Sequence, residues 1–173
     1  MYLKGLRLIL DEAIEVRKGL VRQLGMLLEE SRSAQRGTIV AALGRTGLHQ
    51  GASLRALRNR LERLPVSEQA RTCQRSVEHW LNEMVRACDV MVDVGRNGDL
   101  ARLKETQEHL AASREDARRF NAEYDRLLSE LRQRAERIGK AQKAARTGKR
   151  PSSRLGALLR RPRRGAQTGA PPS

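Results

Sequence analysis

The chain has 173 residues, 35 of them basic and 20 acidic, giving a net charge of +15 and an isoelectric point near 11.3. That length is enough for one domain with its own core, and a charge of this size points to a polyanionic partner such as nucleic acid, an acidic lipid surface or an acidic protein. Aromatic residues are 2% of the chain, too few for stacking surfaces that hold bases, sugars or flat cofactors. Apolar runs such as Leu8-Ile9-Leu10 and Met26-Leu27-Leu28 fall far short of the roughly 20 residues that span a bilayer. Residues 1–10 are too short for a signal core and run into Asp11 and Glu12, so a soluble cytoplasmic protein is expected.

Charge placement divides the chain. Residues 1–30 balance; residues 31–75 hold nine Arg against Glu62 and Glu68; residues 76–130 are net acidic; residues 131–173 hold thirteen basic residues against Glu136. Only six of the basic residues are Lys. Either coding bias or selection for bidentate contacts, which Arg makes better than Lys, accounts for that.

The first helix is predicted over residues 2–34. Its seam runs through Leu3, Leu6, Leu10, Ala13, Arg17, Leu20, Leu24 and Leu27, the alternating three- and four-residue spacing of a packed helix face. Arg17 interrupts it, either as a buried charge with a carboxylate partner or, as expected here, as a long side chain reaching outward. Gly37 suits the end of this helix, and Thr38 is a candidate cap for the next.

The second helix is predicted over residues 38–64, stopped by Pro65. Gly37, Gly44 and Gly51 recur every seven residues with Gly47 between them. If the segment is helical they share a face and admit a very close neighbouring backbone; otherwise residues 44–51 form a break, since each Gly costs a helix about 0.5 to 1 kcal/mol. A continuous but weak helix is the expectation. Beyond it Leu54, Leu57, Leu61 and Leu64 form a stripe opposite Arg55, Arg58, Arg60 and Arg63.

Residues 66–94 carry the cleanest seam, from Val66 through Ala70, Cys73, Val77, Trp80, Met84, Ala87 and Met91 to Val94 without a polar interruption. They are predicted as the inner helix, with Ser67 as cap and Gly95-Arg-Asn-Gly98 as the terminating turn. Small residues alternating with Trp80, Met84 and Met91 suit layered packing against unlike neighbours rather than a self-pairing zipper. Cys73 and Cys88 lie about 22 Å apart along one helix and cannot pair; they read as small core residues.

Asp99 should cap a fourth helix over residues 99–138. Its seam is Leu103, Thr106, Leu110, Ser113, Ala117, Phe120, Tyr124, Leu127, Leu131 and Ile138. As the longest helix it should overhang the rest, and the Ala-rich residues 141–145 offer it an extension. Four helices with short connectors predict an all-α, elongated antiparallel four-helix bundle of coiled-coil character. In that topology Arg55, Arg58 and Arg63, the start of the third helix and the end of the fourth meet at one basic pole.

Residues 139–173 hold ten basic residues, no acidic ones and four of the five prolines. This composition predicts a disordered basic tail. Its polyanion-binding candidates are Lys140, Lys143, Arg146, Lys149, Arg150, Arg154, Arg160, Arg161, Arg163 and Arg164, together with Arg55, Arg58 and Arg63 of the pole. Leu155, Leu158 and Leu159 add a helical apolar spacing beside Arg154, Arg160 and Arg161, suited to a membrane surface or a partner's groove. Ser152 and Ser153, between Arg150 and Arg154, are candidate phosphorylation sites that would weaken either contact.

No catalytic constellation is found. His49, His79 and His109 fall on three different predicted helices, and neither His79 nor His109 has the Glu three residues earlier that a di-iron bundle uses. Residues 44–51 lack the Lys-Ser/Thr ending of a phosphate loop. The sequence therefore predicts no catalytic, metal or cofactor site, and no motif for reading bases. The expected function is a non-enzymatic scaffold or adaptor whose basic pole and tail hold nucleic acid non-specifically through phosphate contacts, with self-association into a homo-oligomer also expected. The alternatives are a peripheral membrane adaptor using residues 154–164, and a protein–protein module, such as a chaperone or assembly factor, with an acidic protein partner.

Overall fold

A computed structural model describes residues 2–31 and 35–148, the last three by backbone alone. Nearly all of them lie in four α-helices: α1 (Tyr2–Glu30), α2 (Arg36–Glu62), α3 (Arg71–Asn97) and α4 (Leu103–Gly148). Single 3-10 turns at Glu68–Ala70 and Leu100–Arg102 lead into α3 and α4, and no strand occurs among the described residues. The chain divides into two units, the first ending at Leu131 and the second beginning at Arg132.

Within the first unit every neighbouring pair of helices runs antiparallel. Leu64, after α2, meets Gly5 near the start of α1, while Gln50, at the middle of α2, bonds Gln23 toward the end of α1. The α2–α3 pair is pinned by Gly44 on Gly95 and, about one turn from the C-terminal end of α2, by Arg58 on Asn82. Asp93 and Glu83 of α3 reach Arg102 and His109 of the α4 segment in the same reversed order. A four-helix bundle in up-down-up-down order results.

The seam of α3 is buried from Cys73 to Val94, and Leu81, Val85, Cys88 and Val90 are buried beside it, so α3 is covered on two sides. Side chains of this size contribute about 1.5 to 3 kcal/mol each when fully buried. This is the inner helix that the spacing predicts. Both cysteines are free and buried. Burial, aided by Glu123, pushes the Cys73 thiol up to about 11, and burial, aided by Asp89, pushes Cys88 up to about 12.

The glycine repeat of α2 explains how α3 is gripped. A Cβ at Gly47 would lie 2.6 Å from the Cys88 carbonyl oxygen and one at Gly44 3.0 Å from Gly95 Cα, so only glycine lets the two backbones approach this closely. The segment is continuous helix, because close packing offsets the weak propensity of its glycines. Gly37 takes no part, having nothing within 4 Å of its Cβ position.

Several expected boundaries move. Gly37 and Thr38 lie inside α2, whose N-cap is Gln35 in extended conformation without a side-chain bond. Ser67 holds the extended cap conformation but its hydroxyl makes no capping bond, and the α-helix proper begins at Arg71 after the 3-10 turn. Gly95 belongs to α3; the turn waits for Gly98, whose φ of 71° is the left-handed conformation that ends helices. Asp99 caps the 3-10 turn that leads into α4 and not α4 itself, its Oδ1 accepting the Ala101 N–H at 3.1 Å.

The seam of α4 is buried at Thr106, Ser113 and Leu127, and Leu103, Leu110, Ala117, Phe120 and Tyr124 pack half-buried on the core. Leu131 and Ile138, the last two members, are exposed. The helix itself does not stop at 138 as expected but continues to Gly148. Gln142, Lys143 and the alanines at 141, 144 and 145 are strong helix formers that outweigh the roughly 1 kcal/mol cost of Gly139. The Ala-rich residues 141–145 thus carry the extension that they offer.

Candidate polyanion-binding surface

The basic residues of the chain meet two kinds of surroundings. On α2, Arg55 donates to Asp89 Oδ1 of α3, Arg58 lies 3.6 Å from Glu62 and donates to Asn82 Oδ1 at 3.3 Å, and Arg60 forms a bidentate pair with Glu12 of α1. The Arg60 guanidinium holds the Glu12 carboxyl below the usual carboxylate range by hydrogen bonding and charge. Arg55 and Arg58 thus serve first as cross-links between α2 and its surroundings. Arg63, at the α2 C-cap, is exposed.

Most cations from the turn before α4 to Arg126 are paired in the same way, Arg114 excepted. Arg102 bridges Asp93 at 3.3 Å and Glu105 at 2.9 Å, holding Glu105 below its ordinary range. Lys104, Arg118, Arg119 and Arg126 each lie within 4 Å of a carboxylate one turn away. Glu83 is committed to His109 Nδ1 and Arg86, both at 2.7 Å.

Beyond Leu131 the pattern changes. Residues 132–145 are exposed without exception and carry Arg132, Arg134, Arg137, Lys140 and Lys143 against Glu136. Among the described residues Arg132, Arg134, Arg137 and Lys140 have no ion-pair partner. Arg134, Arg137, Lys140 and Lys143 stand three residues apart, which sets them along one slanting row that wraps the helix. The row covers about 13 Å of helix axis at 1.5 Å per residue, a length over which duplex DNA presents about eight phosphates.

Arg146 falls within α4 by its backbone. Lys149, Arg150, Ser152, Ser153, Arg154, Leu155, Leu158, Leu159, Arg160, Arg161, Arg163 and Arg164 lie outside the described residues. Arg134 and Arg137 are not singled out by the sequence, because the seam carries the predicted fourth helix to residue 138 and the tail candidates begin at Lys140. The exposed seam positions Leu131 and Ile138, with a single acidic residue between them, are the available signal.

Among the described residues no group of three or more His, Cys, Asp or Glu stands close enough to hold a metal ion, and no helix is long and apolar enough to cross a membrane. The chain matches no family model, no curated protein and no solved structure.

Proposed function

We propose that this is a non-enzymatic helical adaptor that binds a polyanion, nucleic acid without base readout, through the basic end of α4 and the cations that follow it in sequence. The observation that carries the reading is the exposed row Arg134, Arg137, Lys140 and Lys143, lying in a stretch whose only carboxylate is Glu136. Arg and Lys bind phosphates by releasing condensed counterions, which requires accessible charge and no aromatic platform.

The arginines of α2 are secondary in this reading. A phosphate at Arg55 or Arg58 would first displace a carboxylate or amide partner, whereas the α4 row has no such competition at Arg134, Arg137 and Lys140.

Gel shifts of the full chain with a single-stranded homopolymer and a mixed duplex, at several salt concentrations, test it. Comparable affinity for both, falling steeply with salt, is expected. Binding to acidic vesicles with none to nucleic acid would assign the surface to a membrane, and binding to neither would remove the proposal.

A further inference from the structure

The α1–α4 side of the bundle is built differently from the glycine-sealed α2–α3 side. Two cavities lie along it and share Arg114 as a wall. The larger, of about 380 Å³, is lined by Leu10, Ile14, Trp80, Ala117 and Phe120, with Arg17, Arg114, Arg118 and Asn121 also in its walls. The smaller, of about 230 Å³, continues between Val21, Leu24 and Leu28 of α1 and Leu103 and Leu110 of α4. Apolar side chains stay uncovered along this line: Ile14 is 42% exposed, Val21 41% and Leu28 48%.

Three features of the larger cavity point to a ligand. Its apolar residues come from three helices, and its volume lies within the range of small-molecule sites, about 300 to 1,000 Å³. No carboxylate lines it, while three arginines do; Arg17 and Arg114 have no ion-pair partner among the described residues, and only Arg118 is tied, to Glu115 at 3.3 Å. Trp80, 5% exposed, supplies one aromatic wall and Phe120 a second.

We propose that this cavity binds a monomeric amphiphilic organic acid, with its aliphatic or aromatic body against Trp80, Phe120, Leu10 and Ile14 and its anionic head held by Arg17 and Arg114. An anionic head supplies the charge that the walls lack, and an apolar body covers the exposed aliphatic face. The placement of Arg17 within the α1 seam becomes functional: one polar member in an apolar row puts a cation at the edge of an apolar chamber. The inference is independent of nucleic-acid binding, since it uses residues of the first unit alone.

Trp80 is the only tryptophan of the chain, so its emission reports on this cavity. The test titrates the full-length protein with decanoate, below its micelle-forming concentration, and with decanol as the uncharged control. A saturable change in Trp80 emission is expected, with decanoate at least about tenfold tighter than decanol, the worth of one charge-assisted hydrogen bond. Arg17→Gln and Arg114→Gln should each weaken decanoate about tenfold with decanol unchanged, and Arg86→Gln, which lines neither cavity, should do nothing. The Gln variants keep the side-chain stem, and unchanged far-ultraviolet circular dichroism shows that they fold.

No saturable response, equal affinity for acid and alcohol, or loss of binding in Arg86→Gln alike would overturn the proposal. Emission that shifts with protein concentration alone would assign the face to a second copy and overturn it too.

Discussion

The arginines of α2 and the cations at the end of α4 carry the same charge and stand in different surroundings. Arg55, Arg58 and Arg60 sit on a helix packed against two others and face Asp89, Glu62 and Glu12. The row from Arg134 to Lys143 sits on a stretch of helix with no buried residue. Net charge counts both groups equally; availability separates them. A basic block whose neighbours include carboxylates on the next helix acts mainly as structure, whereas Arg134, Arg137 and Lys140 are exposed and have no ion-pair partner among the described residues.

The sharpest contrast between the two helices is in their tolerance of bulk. Gly47→Leu should cost about 3 kcal/mol and lower Tm by about 10 °C, because the atoms it strikes include the Cys88 carbonyl and the Val92 amide, which cannot move aside. Gly139→Leu meets nothing within 4 Å and should leave Tm unchanged while raising helicity by circular dichroism. Equal losses at the two sites would break the comparison.

Affinity should follow exposure. Replacing Arg134, Arg137, Lys140 and Lys143 together by Gln is expected to weaken homopolymer binding on the order of 100-fold at low salt, as read by gel shift. Arg55→Gln with Arg58→Gln should change that affinity less than about twofold. The same pair should cost about 1 kcal/mol of stability by urea unfolding, the usual scale for partly exposed ion pairs.

The smallest effect is a pH dependence. The folded value of Glu12 is held down by Arg60, so the pair's contribution is complete above the carboxylate's unfolded value and fades as pH falls through the lowered folded one. Both side chains are about half exposed, which limits the effect. Glu12→Gln should narrow the gap between Tm at pH 7 and at pH 3 slightly, and a wider gap would reverse the sign.

Most of the architecture was legible in the seams. Periodic apolar spacing locates all four helices, and the unbroken row from Ala70 to Val94 identifies the inner one because a helix covered on two sides needs no polar member. The glycines of α2 were legible as a shared face but not as to their partner: Gly95 reads as a turn residue until its contact with Gly44 is seen. Helix ends were the least legible. Ser67 and Thr38 have capping chemistry without the geometry to use it, and the end of α4 was set by helix propensity where tertiary packing had already stopped.

The candidate surface was legible as a count and not as a list. Arg55 and Arg58 looked exposed because Asp89 and Asn82 belong to a helix distant in sequence. Arg134 and Arg137 fell within the fourth helix and not the tail, because the seam continues past the last residue that the core covers. Nothing in the spacing marks Arg114 and Arg118 as neighbours of Arg17, since that juxtaposition exists only once α1 and α4 lie side by side.

The most direct test is the salt dependence of homopolymer binding by three full-length proteins: wild type, the α4 quadruple Gln variant and the Arg55/Arg58 double Gln variant. With about 0.7 counterions released per single-strand phosphate contact, the log–log slope of the α4 variant should be shallower than wild type by up to about 2.8. The α2 variant should keep the wild-type slope. A slope unchanged in the α4 variant, or flattened in the α2 variant, would contradict the account.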